Sequence, residues 1–113
     1  MKRETEATLL RIFIGESDRY EGKPLFRYLV EFFKKEGLAG ATVLRGILGF
    51  GRGSVIHTTS VLWLSTDLPI VVEVVDKKEK IEKIKLKLAE IVREGLITEE
   101  KVKIIFYEGE KKP

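Results

Sequence analysis

Residues 70–95 read IVVEVVDKKEKIEKIKLKLAEIVREG, and the repeat of apolar residues changes within this stretch. Residues 70–75 form a short apolar run rich in valine, which is typical of a buried strand. Residues 76–79 have the spacing of a capping box, which predicts the start of a helix. The inward face of this helix is predicted to contain Ile81, Ile84, Leu88, Ile91 and Val92. Gly95 is the expected end of the helix. The stretch as a whole therefore predicts a strand followed by a long helix.

The residues before this stretch predict a strand, a helix and a second strand. Apolar and polar residues alternate in residues 8–14, which predicts the first strand. Pro24 suits the first turn of a helix, and apolar residues at helical spacing continue until Gly37 ends it. Residues 42–48 predict the next strand, and residues 102–107 predict a last strand after the long helix.

The order β-α-β-β-α-β is that of the ferredoxin-like split motif. The predicted fold class is therefore α+β, with an antiparallel four-stranded sheet and two helices on one of its faces. A chain of 113 residues fits a single domain. We assign residues 1–108 to that domain and residues 109–113 to a polar tail.

Alternate residues of the predicted strands fall into two sets, one for each face of the sheet. The set expected to meet the helices is Leu10, Ile12, Ile14, Leu44, Leu48, Ile70, Val72, Val74, Ile104 and Phe106. The opposite set is also largely apolar and contains Leu9, Phe13, Val43, Ile47, Val71, Val75, Ile105 and Tyr107. A face this apolar is not expected to meet water across its whole width.

Self-association through the second face is the economical explanation. We expect an oligomer interface that contains Leu9, Arg11, Phe13, Arg45, Val71, Glu73 and Ile105. In the usual strand order, Arg11, Glu73 and Arg45 would lie on adjacent strands and form a charge stripe that fixes the register. The alternative is an exposed face on which the arginines cover apolar neighbours with the aliphatic parts of their side chains.

The composition excludes several classes of site and of protein. The chain has no Cys, Asn or Gln, so disulfides, thiolate metal sites and cysteine catalysis are excluded. Lys and Arg number 21 against 18 Asp and Glu, and the two signs alternate instead of forming the basic patch of a nucleic-acid-binding protein. The charged fraction of 35% and the scarcity of thermolabile side chains are typical of a thermophile protein. Neither a membrane span nor a signal peptide is predicted, so we expect a cytoplasmic protein.

Residues 44–53 read LRGILGFGRG, a strand-like segment that runs into four glycines and an arginine. Glycine adopts positive φ at little cost and leaves backbone N–H groups accessible to an anion. The spacing fits neither a P-loop nor a dinucleotide-binding turn. The segment is therefore either a phosphate-binding loop or a glycine-rich hairpin loop without a ligand.

Three parts of the chain together resemble the PII-like signalling proteins, and most closely their small uncharacterised bacterial and archaeal branch. The matching residues are 15–19 with 22–25, 45–46 with 49–51 and 56–58, and 64–65 with 67–69. The resemblance covers the whole chain and implies a ferredoxin-like homotrimer that binds an adenine nucleotide between subunits. It also implies a membrane transporter or channel as the regulated partner, since many PII proteins regulate one.

The segment from Gly49 to Arg52 resembles the point where the second strand of PII proteins enters the flexible T-loop, whose base touches nucleotide phosphates. This chain departs from the PII pattern in two ways. Gly53 stands where PII proteins usually have a glutamine that helps to build the magnesium and 2-oxoglutarate site. No tyrosine lies between Gly51 and Thr66, so the tyrosine that is modified in some PII T-loops has no counterpart.

The candidate nucleotide-binding residues are Gly49, Phe50, Gly51, Arg52, Ser17, Asp18, Arg19, Lys23, His57 and Thr98. Arg52 either binds a phosphate or is a solvated loop residue. Residues 17–19 and Lys23 follow the first strand, where N–H groups and a cation can receive an anion, or they form an ordinary turn. His57 either contacts the ligand or is structural. Thr98 is included because it loosely matches the PII segment that lines the adenine pocket.

The resemblance implies a non-catalytic regulatory protein that binds AMP, ADP or ATP as an effector and signals through the loop after the second strand. We predict no catalytic residue, no metal ligand and no covalently bound cofactor. One alternative is a small phosphate-ester hydrolase of the acylphosphatase type, which has the same layout and an arginine after the first strand. That enzyme class also needs an asparagine to position water, and the chain has none. A purely structural oligomeric module is the other alternative.

Overall fold

The computed structural model describes residues 4–51, 57–58 and 67–108. Its elements, in chain order, are β1 Thr5–Gly15, β2 Arg19–Tyr20, β3 Lys23–Pro24, α1 Leu25–Lys35, β4 Thr42–Arg45, β5 Leu48–Gly49, β6 His57–Thr58, β7 Pro69–Asp76, α2 Lys78–Ile91 and β8 Leu96–Ile104. Four strands form one antiparallel sheet in the order β4-β7-β1-β8. This is the predicted α+β, ferredoxin-like arrangement, in which β2–β3 and β5–β6 are additional short hairpins.

The hydrophobic core lies between the sheet and the two helices. Its largest fully buried side chains come from β1 and β7, from both helices and from the residue before β7: Leu10, Ile12, Leu29, Phe33, Leu68, Val72, Val74, Ile81, Ile84 and Leu88. The helix-facing residues predicted for β1 and β7 are therefore confirmed. Fully burying one such side chain typically stabilises a fold by about 1.5–3 kcal/mol, so this layer holds the helices on the sheet.

The two faces of β4 are the reverse of the prediction. Val43 pairs with Val72 and packs against the core, whereas Leu44 pairs with Val71 on the opposite face and is 48% exposed. Leu48, which was expected in the core, lies in β5 and is exposed. Two adjacent apolar residues in a short strand do not define a face. Pairing with β7 decides which of them points inward.

The last strand begins at Leu96, well before the predicted residue 102, and it ends at Ile104. Thr5 pairs with Ile104 and Phe13 pairs with Leu96. Ile104 therefore lies on the face of the sheet that the helices do not cover, the face of Arg11 and Phe13, which we call the open face. Ile105, Phe106 and Tyr107 follow the strand and are exposed, which contradicts the core position predicted for Phe106. The polar composition of this edge strand hides it from a search for apolar alternation.

The residues predicted to begin and end the long helix have other roles. Asp76 is the last residue of β7, and its carboxylate accepts hydrogen bonds from the N–H groups of Ala39 and Lys77 at 2.9 and 2.7 Å. Lys77 is the N-cap residue of α2, and no side chain caps this end, so the predicted capping box is wrong. The helix ends at Ile91, before Gly95. Gly95 has φ +147°, and a Cβ there would meet the carbonyl oxygen of Phe13 at 2.6 Å.

No helix in the described part of the chain is long and apolar enough to cross a membrane.

Two leucines of α2 provide a matched test of the core. Leu88 is 1% exposed and Leu86 is 83% exposed. We expect Leu88→Ala to lower the free energy of unfolding by about 2–5 kcal/mol, because it leaves a cavity between the helix and the sheet. Leu86→Ala should change it by less than about 0.5 kcal/mol. Urea denaturation at one fixed protein concentration measures both, and equal losses would contradict the described helix orientation.

Candidate functional site

The ends of β1, β4 and β7 meet at one corner of the sheet, which we call the loop-base corner and which contains Glu16, Arg45, Gly46 and Pro69. The N–H of Glu16 donates to the carbonyl oxygen of Leu68 at 2.8 Å. The N–H of Gly46 donates to the carbonyl oxygen of Pro69 at 2.7 Å. Two adjacent carbonyl groups before and at the start of β7 therefore hold the ends of the neighbouring strands.

The glycines at this corner are explained first by close packing on Pro69. A Cβ on Gly46 would lie 2.7 Å from Cγ of Pro69, and a Cβ on Gly49 would lie 3.1 Å from the same atom. Within residues 4–51, 57–58 and 67–108, no group apart from its own chain neighbours lies within 4 Å of the position of a Cβ on Gly51. None of these three glycines has the positive φ on which the sequence interpretation depended. The contact of Gly49 and Gly51 with a phosphate stays a prediction that rests only on the accessibility of their backbone N–H groups.

The polar groups of the turn after β1 already have hydrogen-bond partners in the turn itself and at Asp67. The N–H of Ser17 donates to Oδ1 of Asp67 at 2.9 Å, and the N–H of Gly15 donates to Oδ2 of Asp18 at 3.0 Å. The N–H of Asp18 donates to the carbonyl oxygen of Gly15, and the carbonyl oxygen of Asp18 accepts from the N–H of Leu25. These bonds agree with an ordinary turn at Ser17 and Asp18, because the N–H groups that an anion would need are already occupied.

The candidate cations near this turn also have partners within the chain. Arg19 donates from Nη2 to the carbonyl oxygen of Gly22 at 2.5 Å. Lys23 forms an ion pair with Glu31 at 2.5 Å, and this hydrogen bond lowers the pKa of Glu31. Arg52 lies outside the described residues. His57 pairs with Gly49 through the β5–β6 ladder, but its side chain lies outside the described part.

The candidate residues of one chain are spread across the sheet. Phe50, which is 71% exposed, follows β5 near one edge, whereas Thr98 lies on the opposite edge strand, β8, where it pairs with Arg11. Neighbouring strands are about 4.8 Å apart, so β4 and β8 are separated by about 14 Å. One copy of the chain therefore does not bring all the predicted nucleotide-binding residues together.

The open face of the sheet carries a charged cluster that differs from the predicted stripe. Arg11 contacts Glu73 at 2.8 Å, as predicted, and also Glu100 of β8 at 3.1 Å. The hydrogen bond to Glu73 raises the pKa of Arg11. On β4, Thr42 and not Arg45 pairs with Glu73, so Arg45 is not part of the cluster.

The apolar residues predicted for the interface have different degrees of exposure. Phe13 and Val71 form an apolar row across all four strands together with Leu44 and Leu96, which were not predicted for the interface, and Phe13 is 37% exposed. Leu9 lies on the same face but is buried within the chain. Ile105 follows the end of β8 and is exposed. The role of this face in assembly stays a prediction.

Two open grooves lie beside the helices, away from the glycine segment. One, of about 460 Å³, includes Tyr28, Phe32 and Lys87 in its lining. The other, of about 410 Å³, includes Arg19 and Arg93. Within residues 4–51, 57–58 and 67–108, no three His, Asp or Glu side chains are grouped so that they could hold a metal ion.

Residues 7–104 match the model of the family DUF190, described as "Uncharacterized ACR, COG1993". The chain belongs to the DUF190 family. A UPF0166 protein of Aquifex aeolicus (strain VF5) is 43% identical over 106 residues, which cover 92% of this chain and 98% of the relative. A UPF0166 protein of Methanocaldococcus jannaschii is 37% identical over 94 residues, which cover 81% and 85% of the two chains.

The DUF190 chain also has the fold of CPII, a nitrogen regulatory PII-like protein from Thiomonas intermedia K12. The CPII structure bound to ADP, AMP and bicarbonate has a TM-score of 0.70 at 10% identity, and the match covers 94% of each chain. A second structure, bound to ADP and bicarbonate, has a TM-score of 0.69 at 10% identity and covers 94% of this chain and 95% of that one. The predicted resemblance to PII-like proteins is therefore confirmed in the fold, which is all that structures at this identity show.

The sequence analysis did not predict that two acidic residues of the DUF190 chain form ion pairs with arginines of the sheet. Glu16 contacts Arg45 with an Oε1–Nη2 distance of 3.1 Å, and Glu100 contacts Arg11. Glu16 lies within the stretch that carries the PII resemblance, so its place beside the candidate residues was a usable signal. The contact of Glu100 could not be predicted, because the predicted last strand began at residue 102, after Glu100.

The contact between Gly46 and Pro69 provides a test of the loop-base corner. We expect Gly46→Ala to destabilise the protein by about 1–3 kcal/mol, because its Cβ would overlap the proline ring. Gly51→Ala is the control and should change stability by less than about 0.5 kcal/mol. Thermal unfolding measures both effects.

The double variant Gly46→Ala with Pro69→Ala should lose less stability than the sum of the two single variants, because the missing ring makes room for the new methyl group. Strict additivity would mean that the two residues are not in contact.

Proposed function

We propose that this protein is a non-catalytic regulatory protein that binds an adenine nucleotide in clefts between copies of the chain. The observation that carries the proposal is the separation of the candidate residues at opposite edges of one sheet, which favours a site completed by a second copy. The fold shared with CPII adds to it, because the solved CPII structures hold ADP and AMP.

The phosphates are proposed to lie near Gly49, Gly51 and Arg52. The segment after β4 is then the signalling element, because a ligand that contacts it favours one of its arrangements. A ligand shifts such an equilibrium only by its difference in affinity for the two arrangements. Arg19, Lys23 or His57 would add contacts, and Thr98 would face the adenine from the adjoining copy.

The assembly is proposed to be a homotrimer that packs through the open sheet face. The apolar row from Leu44 to Leu96 supports this, since a patch that spans four strands favours burial against a partner. The Arg11 cluster would be buried in the interface, where ion pairs fix orientation more than they add affinity.

The resemblance to PII proteins supports a role in the cytoplasm, with a membrane transporter or channel as the protein that responds to the signalling segment. A hydrolase of the acylphosphatase type is the less favoured function. Arg19, which follows β1, already donates to the carbonyl oxygen of Gly22, and the sequence offers no asparagine to position water.

Nucleotide binding is testable by calorimetry with ATP, ADP and AMP. We expect at least one of them to bind, and we expect Arg52→Ala to weaken it about ten- to a hundredfold, the loss of a charge-assisted hydrogen bond. Arg27→Ala, at an exposed position of α1, is the matched control and should bind like the wild type. Absence of binding for all three nucleotides would reject the proposed function.

Assembly is testable by light scattering at micromolar concentration. We expect a trimer for the wild type and a smaller species for Phe13→Glu, because a carboxylate would be buried in the interface. Leu86→Glu, on the exposed side of α2, should leave the mass unchanged. Circular dichroism checks that both variants fold. A monomeric wild type, or a trimeric Phe13→Glu variant, would contradict the open-face interface.

A further inference from the structure

Arg45 is a cationic residue at the point where the chain leaves the sheet and enters the glycine segment. It is the last residue of β4, and its side chain is 57% exposed. Its Nη2 group donates to Oε1 of Glu16 at 3.1 Å, and the Glu16 side chain is only 25% exposed. A guanidinium has five N–H donors in a planar fork, so one contact with a carboxylate leaves most of its donors for another anion.

The backbone, and not the ion pair, holds these two residues together. Glu16 is fixed by the bond from its N–H to Leu68, and Gly46, the neighbour of Arg45, is fixed by its bond to Pro69. The contact between Gly46 and the proline ring restricts the same corner further. Arg45 can therefore change its side-chain partner while its backbone stays in place.

The Glu16–Arg45 contact is weak enough to be exchanged. It is a single hydrogen-bonded ion pair between partly exposed side chains, and such pairs contribute little to stability. A phosphate group presents several oxygens and more negative charge, and it matches the guanidinium fork in a way that one carboxylate oxygen does not. A phosphate at this corner would meet attraction from Arg45 and repulsion from Glu16.

We infer that Glu16 masks Arg45 and that a nucleotide phosphate displaces it. This rests on the proposed function, and it assigns to the site a further cation, Arg45, and a regulating carboxylate, Glu16. Glu16 lowers the affinity for the phosphate by its charge and by competing for the guanidinium. The exchange of partners takes place at Arg45, the residue directly before the signalling segment, while the backbone of the corner stays in place.

The test compares Glu16→Gln with Glu36→Gln in calorimetry with ATP and with inorganic tripolyphosphate. Glu36 is the matched control because it also forms an ion pair, with Lys87, and its side chain is 25% exposed like that of Glu16. We expect Glu16→Gln to bind both probes about two- to fivefold more tightly, the range expected for an exposed pair. Glu36→Gln should bind like the wild type.

Arg45→Ala separates masking from a general change of charge. It should weaken binding, and Glu16→Gln should give a smaller gain when Arg45 is already replaced, because only the direct repulsion between Glu16 and the phosphate is then removed. An undiminished gain in the Arg45→Ala background, or a Glu16→Gln variant that binds no more tightly than the wild type, would overturn the inference. If tripolyphosphate binds and no nucleotide does, the proposed function fails while masking is still decided by the tripolyphosphate arm. If neither probe binds any of these proteins, masking is rejected, and the calorimetry with ADP and AMP decides the proposed function.

Discussion

The antiparallel pairing of β1 with β7 is the contact on which the rest of the structure depends. It runs from Thr8 opposite Asp76 to Gly15 opposite Pro69. This register places the even-numbered apolar side chains from Leu10 to Ile14 and from Ile70 to Val74 under the helices. It places Arg11 beside Glu73 on the other face. It also brings the turn after β1 to the start of β7, where the backbone of residues 68–69 holds Glu16 and Gly46. A shift of one residue would turn every one of these side chains to the wrong face.

The central strands and the helices were predictable because their apolar residues repeat with the period of the element. The two edge strands were not. In β4, Val43 and Leu44 are both apolar, and only the pairing with β7 selects Val43 for the core. In β8, the polar residues between Ile97 and Val102 give no apolar alternation, so its first part was missed. Edge strands derive their position from a neighbour, and a single sequence does not contain that information in a local pattern.

The candidate site, like the fold, could be predicted from the sequence only in part. The sequence identified the glycine segment, but it could not show that Gly46 and Gly49 pack on Pro69, a residue far away in the chain. Nor could it show that the N–H of Ser17 donates to Asp67, which lies 50 positions further along the chain. Long-range contacts decide which polar groups are left for a ligand. The Glu16–Arg45 pair is a contact of this kind, between residues 29 positions apart.

The polar sequence of β8 that concealed the strand has a physical consequence of its own. A sheet with two unpaired edges can recruit strands from other chains, and long apolar edges lead to aggregation. Here Glu99, Lys101 and Lys103 are exposed along β8, while the other edge, β4, is only 4 residues long. A new strand on β8 would have to desolvate a row of charges, and on β4 it would gain few backbone hydrogen bonds. Lateral growth of the sheet into fibrils is therefore resisted at both ends.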